Sequence, residues 1–182
     1  DDGRIYIGEV YGDSAADDMQ RIQIRETILS HLQKEEALFR RGIKCLSLFF
    51  IDQVAKYRDL SGNGETVGYG KIFEEEYEAI VSDRLKHPTQ DDILDPSYAQ
   101  YLGRFEARSV HSGYFSVDKK GNTVESKAEK KAEREDGIGI NDDDAKRAYD
   151  LMLRDKERLL SFDEPVRFIF SHSSLLEGWD NP

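Results

Sequence analysis

The stretch that decides the fold reads Phe168-Ile-Phe-Ser-His-Ser-Ser-Leu-Leu-Glu-Gly-Trp-Asp-Asn-Pro182. An apolar run that begins at Val166 ends with Phe170, and small polar residues follow it. One helical turn's worth of residues comes next, before Gly178 and a turn. This order predicts a buried strand that leads into a polar loop and the start of a helix. Because open α/β sheets bind ligands at the carboxyl ends of their strands, we expect a binding loop at this position.

Two other apolar runs predict strands of the same sheet. Residues 43–51 are nearly all apolar, as expected for a strand covered on both faces, and we interpret Phe49 and Phe50 as core. Residues 107–110 form the third candidate strand. Amphipathic helices are predicted between these runs, and this alternation favours a mostly parallel sheet with helices on both faces. The predicted fold class is a three-layer α/β/α arrangement in a single domain, residues 1–182.

Capping residues indicate where the helices begin and end. Asp17 and Asp18 offer N-caps for a long first helix, and Gly42 offers its stop. Asp52 is expected to cap a short helix that follows the first of these strands. The other predicted elements are a glycine-rich loop at 62–70, a helix around 73–81, and a helix that starts at three aspartates, 142–144, and reaches residue 160.

Residues 111–141 are interpreted as a charged insertion in this scaffold. Two β-prone runs flank Lys119-Lys-Gly-Asn122 and predict a β-hairpin, and the run that follows is almost purely charged. Asp118, Glu125 and Lys127 are spaced like the acids and lysine of a metal-dependent nuclease, but a flexible turn separates them. A solvated hairpin explains them better, and so no metal site is predicted there.

The composition limits the class of protein. With 182 residues, of which 38% are hydrophobic and 35% charged, the chain suits one soluble domain. We predict no membrane span, because no apolar stretch approaches the roughly 20 residues required, and the opening Asp-Asp-Gly-Arg does not resemble a signal peptide. The single cysteine, Cys45, is expected to pack as a small hydrophobe in a reducing, cytoplasmic setting. Because the first residue is not Met, we expect either a piece of a longer protein or a chain from which a tag was trimmed.

Charge and histidine spacing bear on the ligands. The formal net charge of -11 argues against strong autonomous binding to DNA, since nucleic-acid-binding domains usually present a basic face. Contacts with phosphate would have to come from hydroxyls and backbone N–H groups. His111 and His172 are both expected at strand ends on one edge of the sheet, which leaves a binding role open for them. The four histidines lack the spacing of zinc ligands, and no zinc site is predicted.

Several segments share one further pattern. In chain order they are Gly42-Ile-Lys-Cys-Leu-Ser-Leu-Phe-Phe-Ile-Asp52, Val110-His-Ser-Gly-Tyr-Phe115, Ala148-Tyr149 with Asp155-Lys-Glu157 and Leu159-Leu-Ser-Phe162, and the closing stretch quoted above. Together they resemble the helicase (Res) subunit of type III restriction–modification enzymes, in its second RecA-like lobe. The string Phe-Ser-His-Ser…Glu-Gly-Trp-Asp-Asn-Pro is the specific part of this resemblance, which spans most of the chain.

The resemblance implies a RecA-like lobe, of the P-loop NTPase type, from a superfamily 2 helicase. Residues 43–51 resemble its motif four, residues 110–113 the strand-to-loop element that follows, and residues 168–180 motif five. The implied DNA-binding residues are Ser171, His172 and Ser173, to which we add His111 for its expected place on the same edge; the implied nucleotide-binding residues are Gly178 and Asp180. Hydroxyls at a helix start suit phosphate oxygens, and a glycine lets the backbone approach a ligand.

Cofactors and partners follow from the same resemblance. It implies ATP and Mg²⁺ in the parent enzyme, bound mainly by the first RecA-like lobe, since this sequence contains no GxxxxGK[ST] loop. The chain alone is expected to be catalytically silent, without a bound cofactor. The implied partners are DNA, the methylation subunit of the same system and the first lobe. Many relatives carry Arg before Glu-Gly-Trp-Asp where this chain has Leu176, and the contact of that Arg is not carried over.

Two other functions remain open from the sequence. The chain could be a non-catalytic, acidic α/β interaction module that docks a partner subunit through the hairpin insertion. It could also be a flavodoxin-like or receiver-like domain, for which Asp52 at the end of the first strand is the only support.

Overall fold

Three short strands form a parallel sheet in which the last strand is central. The computed structural model describes residues 12–59, 65–86, 94–115, 150–152 and 154–172. In this part of the chain β1 is Ser47–Phe50, β2 is His111–Tyr114 and β3 is Phe168–Ser171, in the spatial order β1-β3-β2. Both pairings are parallel. The predicted parallel sheet is confirmed.

Helices account for most of the remaining described chain. They are α1 (Gly12–Phe39), α2 (Gly68–Lys86), α3 (Pro96–Leu102) and α4 (Lys156–Leu159), with 3-10 turns at Val54–Lys56 and Ala107–Ser109 and helical residues at 150–152. Among the described residues no helix combines the length and the apolar character that a membrane crossing requires.

The side chains of β3 alternate between two separate clusters of buried residues. Phe168 and Phe170 belong to the larger cluster, which is built with residues of α1, α2 and α3. Ile169 belongs to the smaller cluster, together with Leu151, Met152, Leu159, Val166 and Tyr114. Because successive side chains of a strand point to opposite faces, these clusters lie on opposite sides of the sheet. The three-layer α/β/α prediction is confirmed, and the fold is consistent with a RecA-like lobe. We call the side of Phe168 and Phe170 the α1–α2 face and the side of Ile169 the opposite face.

The strands are shorter than predicted, and one is displaced. Residues 107–110, predicted as the third strand, form a 3-10 turn and its cap, in which Val110 N donates to Ala107 O. The prediction was wrong because pairing starts only at Val110, whose carbonyl oxygen accepts from the N–H groups of Arg167 and Phe168. The strand itself, His111–Tyr114, lies where the hairpin insertion was placed; residues 116–149, which carry the rest of that insertion and Asp142–Asp144, lie outside the described residues.

Two of the predicted caps are also wrong. The helix α1 begins at Gly12, so that Asp17 and Asp18 lie inside it. Asp52 does not cap the 3-10 turn after β1; the capping position is Gln53, which makes no side-chain cap bond. The predicted stop of α1 is confirmed, because Gly42 follows the last turn with a φ of 71°, which favours glycine.

The glycine-rich stretch and the last predicted helix differ from expectation as well. Gly68 and Gly70 lie in the first turn of α2 rather than in a loop, and a Cβ at Gly70 would lie 2.8 Å from the carbonyl oxygen of Tyr57. The predicted helix that reaches residue 160 is not continuous. A new helix, α4, starts after Asp155, whose carboxylate accepts from Arg158 N at 3.2 Å.

A buried polar network, which periodicity alone could not predict, fixes the entry to β3. Arg167 Nη1 donates to Glu35 Oε2 at 2.8 Å, and Arg167 also donates to the Tyr77 hydroxyl. Tyr98 adds a second hydrogen bond to Glu35, at 2.9 Å. These contacts join α1, α2 and α3 to the residue before β3 by charge-assisted bonds in the interior of the protein.

Candidate functional site

The loops after the three strands leave the sheet at one edge. Phe50 of β1 and Tyr114 of β2 are both paired with Ser171 of β3. The N–H of Ile51 donates to the Ser171 carbonyl at 2.9 Å, so that the chain after β1 lies directly beside the chain after β3. This is the edge where open α/β sheets bind ligands. For Ser171 and His172, the described start of the stretch after Phe170, the expectation that this stretch shares an edge with the loop after Ile51 is confirmed.

Burial divides the predicted DNA-binding residues at this edge. Ser171 is fully buried, whereas His172 is half-buried. Ser173, Gly178 and Asp180 lie outside the described residues, so their roles stay predictions. The described part of the loop thus consists of a buried anchor, Ser171, followed by a side chain that reaches the surface.

Asp52 is held by two neighbours at the same edge. Lys56 Nζ donates to Asp52 Oδ2, and the Tyr69 hydroxyl donates to Oδ1 at 3.1 Å. Partial burial disfavours the charged carboxylate, but these hydrogen bonds outweigh it and lower the pKa of Asp52 below its ordinary value. Asp52 is thus an ionised and oriented carboxylate that begins the loop after β1.

His111 lies at the opposite edge of the sheet from His172. It begins β2 and is paired with Phe168, the first residue of β3, whereas His172 follows the last residue of β3. The expectation that these histidines share one edge is therefore wrong. In a parallel sheet a strand's first residue and its neighbour's last residue lie at opposite ends, and the prediction had placed the strand before His111.

The ring of His111 is instead part of a buried hydrogen-bonded chain. Its Nδ1 lies 2.8 Å from the Tyr57 hydroxyl and its Nε2 lies 3.1 Å from Glu74 Oε1, which also accepts from Thr66 at 2.8 Å. Burial lowers the pKa of His111 although Glu74 opposes this shift. A neutral ring that donates from Nε2 to Glu74 and accepts from Tyr57 at Nδ1 satisfies all of these contacts.

Three relatives share this sequence over nearly its whole length. The Res subunits of the type III restriction–modification enzymes EcoPI, of Escherichia phage P1, and EcoP15I, of Escherichia coli, are each 40% identical to it over 174 residues, 94% of this chain. The StyLTI Res subunit of Salmonella typhimurium is 30% identical over 181 residues, 90% of this chain. The chain is homologous to a segment of type III restriction–modification Res subunits.

The homologous segment is a small part of each Res subunit. The chain spans 15% of the length of the EcoPI and EcoP15I subunits and 16% of the StyLTI subunit. No family model matches the sequence. The resemblance seen in the sequence motifs is confirmed at the level of the Res subunit.

One residue of this Res-like segment differs sharply from its predicted environment. Phe49 packs as predicted, stacked on Phe170 at a ring distance of 4.6 Å. Phe50, which was also interpreted as core, is 65% exposed at the carboxyl end of β1. Helices cover only one face of β1 along its whole length. No signal in a uniformly apolar run could have separated these two phenylalanines.

Within the described ranges, no group of three or more His, Cys, Asp or Glu side chains could hold a metal ion. Asp52, at the carboxyl edge, contacts Lys56, and Glu74, near the opposite edge, contacts His111 and Thr66.

Proposed function

We propose that this chain is the second RecA-like lobe of the ATP-dependent DNA translocase motor in a type III restriction endonuclease. The observation that carries the proposal is the shared edge at Ser171, where the motif-five-like stretch emerges beside the loop after β1 in a chain homologous to Res subunits. In such a motor two lobes close on ATP and hold DNA along one side. The three-layer parallel fold is consistent with one of these lobes.

The nucleotide would be contacted by the last residues of the chain. Gly178 would let the backbone approach the phosphates, and the Asp180 carboxylate would accept hydrogen bonds from the ribose hydroxyls. The first lobe would supply the phosphate-binding loop and the Mg²⁺ ligands, and an arginine beyond residue 182 would complete the site on this lobe. Because this chain would contribute only a small part of the ATP site, we expect the chain alone to hydrolyse no ATP.

The DNA backbone would be contacted by His172 and Ser173. Ser171 is buried and its carbonyl accepts from the N–H of Ile51, just after β1, so it would anchor the loop while the next two residues face the phosphates. With a net charge of -11 the lobe contributes little electrostatic attraction, and the rest of the protein would supply most of the affinity. Since one short stretch would contact both ligands, lobe closure on ATP would change the grip on DNA.

The relatives' names supply the proposed partners of the whole protein. They describe subunits of restriction–modification enzymes, and we propose that this protein likewise acts on DNA together with a modification subunit. ATP and Mg²⁺ would be its substrate and cofactor.

The decisive experiment replaces Asp180 by Asn in the full-length subunit. The change removes the charge and preserves the shape of the side chain. We expect the KM for ATP in the DNA-stimulated reaction to rise about 10-fold, the effect of weakening a hydrogen bond to a charged acceptor. The matched control is Asp163→Asn, because the Asp163 side chain is 84% exposed and pairs with Arg104 on the surface. Unchanged ATP kinetics in the Asp180 variant would remove this stretch from the nucleotide site.

A further inference from the structure

One buried side chain, Tyr57, contacts the chain at the carboxyl ends of two strands. Its ring is 1% exposed, lies on the α1–α2 face and stacks on Phe170, the residue before Ser171, with 4.5 Å between the ring centroids. The same ring meets the edge of Phe115, which directly follows β2, at 5.7 Å. The Tyr57 ring therefore supports the chain at the points where it leaves β2 and β3.

The backbone of Tyr57 belongs to the loop after β1, residues 51–57, and is tied to the start of α2. Its carbonyl oxygen accepts from the N–H of Val67 at 3.1 Å. A Cβ at Gly68 would lie 2.3 Å from the carbonyl oxygen of Lys56, so glycine at this position lets the first turn of α2 approach the loop. The loop is thus held by the start of α2 through its backbone and by the sheet through the Tyr57 ring.

The Tyr57 hydroxyl completes a closed circuit of hydrogen bonds that returns to the Tyr57 backbone. The hydroxyl lies 2.8 Å from His111 Nδ1, and His111 Nε2 lies 3.1 Å from Glu74 Oε1. Glu74 accepts from the hydroxyl of Thr66 at 2.8 Å, and Thr66 precedes Val67, the residue that donates to the Tyr57 carbonyl. We call these five residues the Tyr57 circuit. Because a fully satisfied buried network fixes one arrangement of the groups it joins, the circuit specifies the position of the loop.

The Tyr57 circuit joins the two edges of the sheet. His111 begins β2 and is paired with Phe168, at the edge opposite to the candidate site, whereas the Tyr57 ring lies beside Phe170. Gly113 leaves room for this ring, since a Cβ there would lie 2.8 Å from Tyr57 Cε1. Both nitrogens of the buried His111 ring are engaged in the circuit. His111 can therefore act on the carboxyl edge only through Tyr57.

We propose that Tyr57, His111 and Glu74 are positioning residues of the carboxyl edge, which hold the loop after β1 beside β3 and thereby set how the stretch after Ser171 meets DNA. They act through the loop and not by contact with a ligand. The inference rests on the proposed function, because it concerns the DNA contact proposed there. A buried tyrosine ring packs equally well without its hydroxyl, so the hydroxyl separates positioning from core packing.

The test is Tyr57→Phe in the full-length protein, which removes the hydroxyl and keeps the ring. We expect the DNA concentration for half-maximal ATPase activity to rise about 3- to 10-fold, the factor that one buried hydrogen bond represents, because a weaker hold lowers the population of the binding-competent edge. The kcat at saturating DNA and the KM for ATP should stay the same. The matched control is Tyr101→Phe, because Tyr101 is also buried and its hydroxyl has no hydrogen-bond partner among the described residues. It should leave all three values unchanged.

Glu74 offers a pair of variants that distinguishes positioning from packing. Glu74→Gln keeps an oxygen that accepts from His111 and Thr66, and it should retain the DNA requirement of the unsubstituted protein. Glu74→Ala removes the acceptor and should resemble Tyr57→Phe. A lower unfolding midpoint in Tyr57→Phe with an unchanged DNA requirement would reduce the circuit to core packing and overturn the proposal. Equal DNA requirements in the two Glu74 variants would overturn it as well.

Hydrogen exchange tests the Tyr57 circuit without ATP or DNA. In Tyr57→Phe the amides of Ile51 and Val67, which donate to the carbonyls of Ser171 and Tyr57, should exchange faster, and that of Arg167, at the opposite edge, should not. Unchanged exchange at Ile51 and Val67 would overturn the proposal whatever the protein does with DNA. If these amides exchange faster but the unsubstituted full-length protein hydrolyses no ATP in response to DNA, the circuit holds the edge and it is the proposed function that fails.

Discussion

The Arg167 guanidinium and the Glu35 carboxylate form an ion pair in which both side chains are completely buried, with 2.8 Å between Nη1 and Oε2. The guanidinium also lies over the rings of Tyr77 and Tyr101, at 5.5 and 5.1 Å from their centroids. Removing two charges from water is costly, and the interaction is maintained by the additional hydrogen bonds from Tyr98 and to Tyr77. The pair joins the carboxyl-terminal part of α1 to the residue before β3, the strand that leads to the candidate site.

We predict that Glu35→Gln destabilises the chain by about 3–5 kcal/mol, because Arg167 then remains buried without a counter-charge. Urea unfolding measures the change. The matched control is Glu36→Gln on the same helix; Glu36 is partly exposed and pairs with Arg84 near the surface, so its loss should cost about 1 kcal/mol or less. Equal losses of unfolding free energy in the two variants would show that the buried ion pair stabilises the chain no more than the surface pair does.

The same pair predicts a loss of stability in acid. Burial opposes ionisation of Glu35, but His31 and Arg167 outweigh it and lower the pKa of the carboxyl below its ordinary value of 4.5. The unfolded state therefore binds the proton more tightly, and stability is lost as the pH falls below 4.5 through the folded-state pKa. Unfolding free energies between pH 6 and pH 3 should decrease less steeply for Glu35→Gln than for the unsubstituted chain. Parallel curves would contradict this.

A second buried cation, Lys44, holds the turn before β3. Its Nζ donates to the carbonyl oxygens of Leu159, Ser161 and Glu164, at 2.8, 2.9 and 2.5 Å. We predict that Lys44→Met, which keeps the length of the side chain, costs roughly 3 kcal/mol because it leaves buried carbonyls unpaired. Thermal unfolding with Lys34→Met as the exposed control checks this. A loss no larger than that of the control would mean that water replaces the ammonium group.

Like Glu35, Lys44 makes stability rise with pH, but it does so in the alkaline range. Burial lowers the pKa of Lys44 to about 8, against an ordinary value of 10.5, although Glu164 opposes the shift. Between these values the unfolded state binds more protons, so this residue makes stability rise with pH from about 8 to 10.5. Lys44→Met should lack this rise. A rise of equal size in the variant would assign it to other groups.

Gly113 allows Tyr57 to lie against β2. A Cβ at this position would come within 2.8 Å of Tyr57 Cε1 and 2.3 Å of Phe115 Cε2. We predict that Gly113→Ala destabilises the chain by about 1–3 kcal/mol through overpacking. Gly103→Ala is the matched control, because its φ of -81° suits alanine and its Cβ would lie 3.4 Å or more from its neighbours. Urea unfolding distinguishes the two, and equal midpoints would show that the rings move aside without cost.

The sequence predicts those structural features that depend on residues close together in the chain, and it does not predict those that depend on distant residues. The alternation of apolar runs and helices predicted the parallel, three-layer sheet, because burial of whole faces follows from periodicity. The prediction that Asp17 or Asp18 caps α1 was wrong. Several acidic residues near the start of a helix satisfy the same capping rule, so the rule does not select one of them. The sequence showed Arg167 interrupting an apolar run but could not reveal its partner, Glu35, which is 132 residues away. The exposure of Phe50 depends on what the sheet lacks beside β1, which no local pattern encodes.

The proposed contact of Ser173 with DNA can be tested by substituting Ser173 and, separately, Ser171 in the full-length subunit. Ser173→Ala should raise the DNA concentration for half-maximal ATPase activity about 3- to 10-fold, the effect of one lost hydrogen bond to phosphate, and should leave the KM for ATP unchanged. Because a hydroxyl releases no counterion, the salt dependence of DNA binding should also stay the same. Ser171→Ala is the matched control: Ser171 is fully buried, so its loss should lower stability and leave the DNA requirement unaltered. If the Ser171 variant alone weakens DNA binding, the loop meets DNA through its buried anchor, and the division of roles at this edge is wrong.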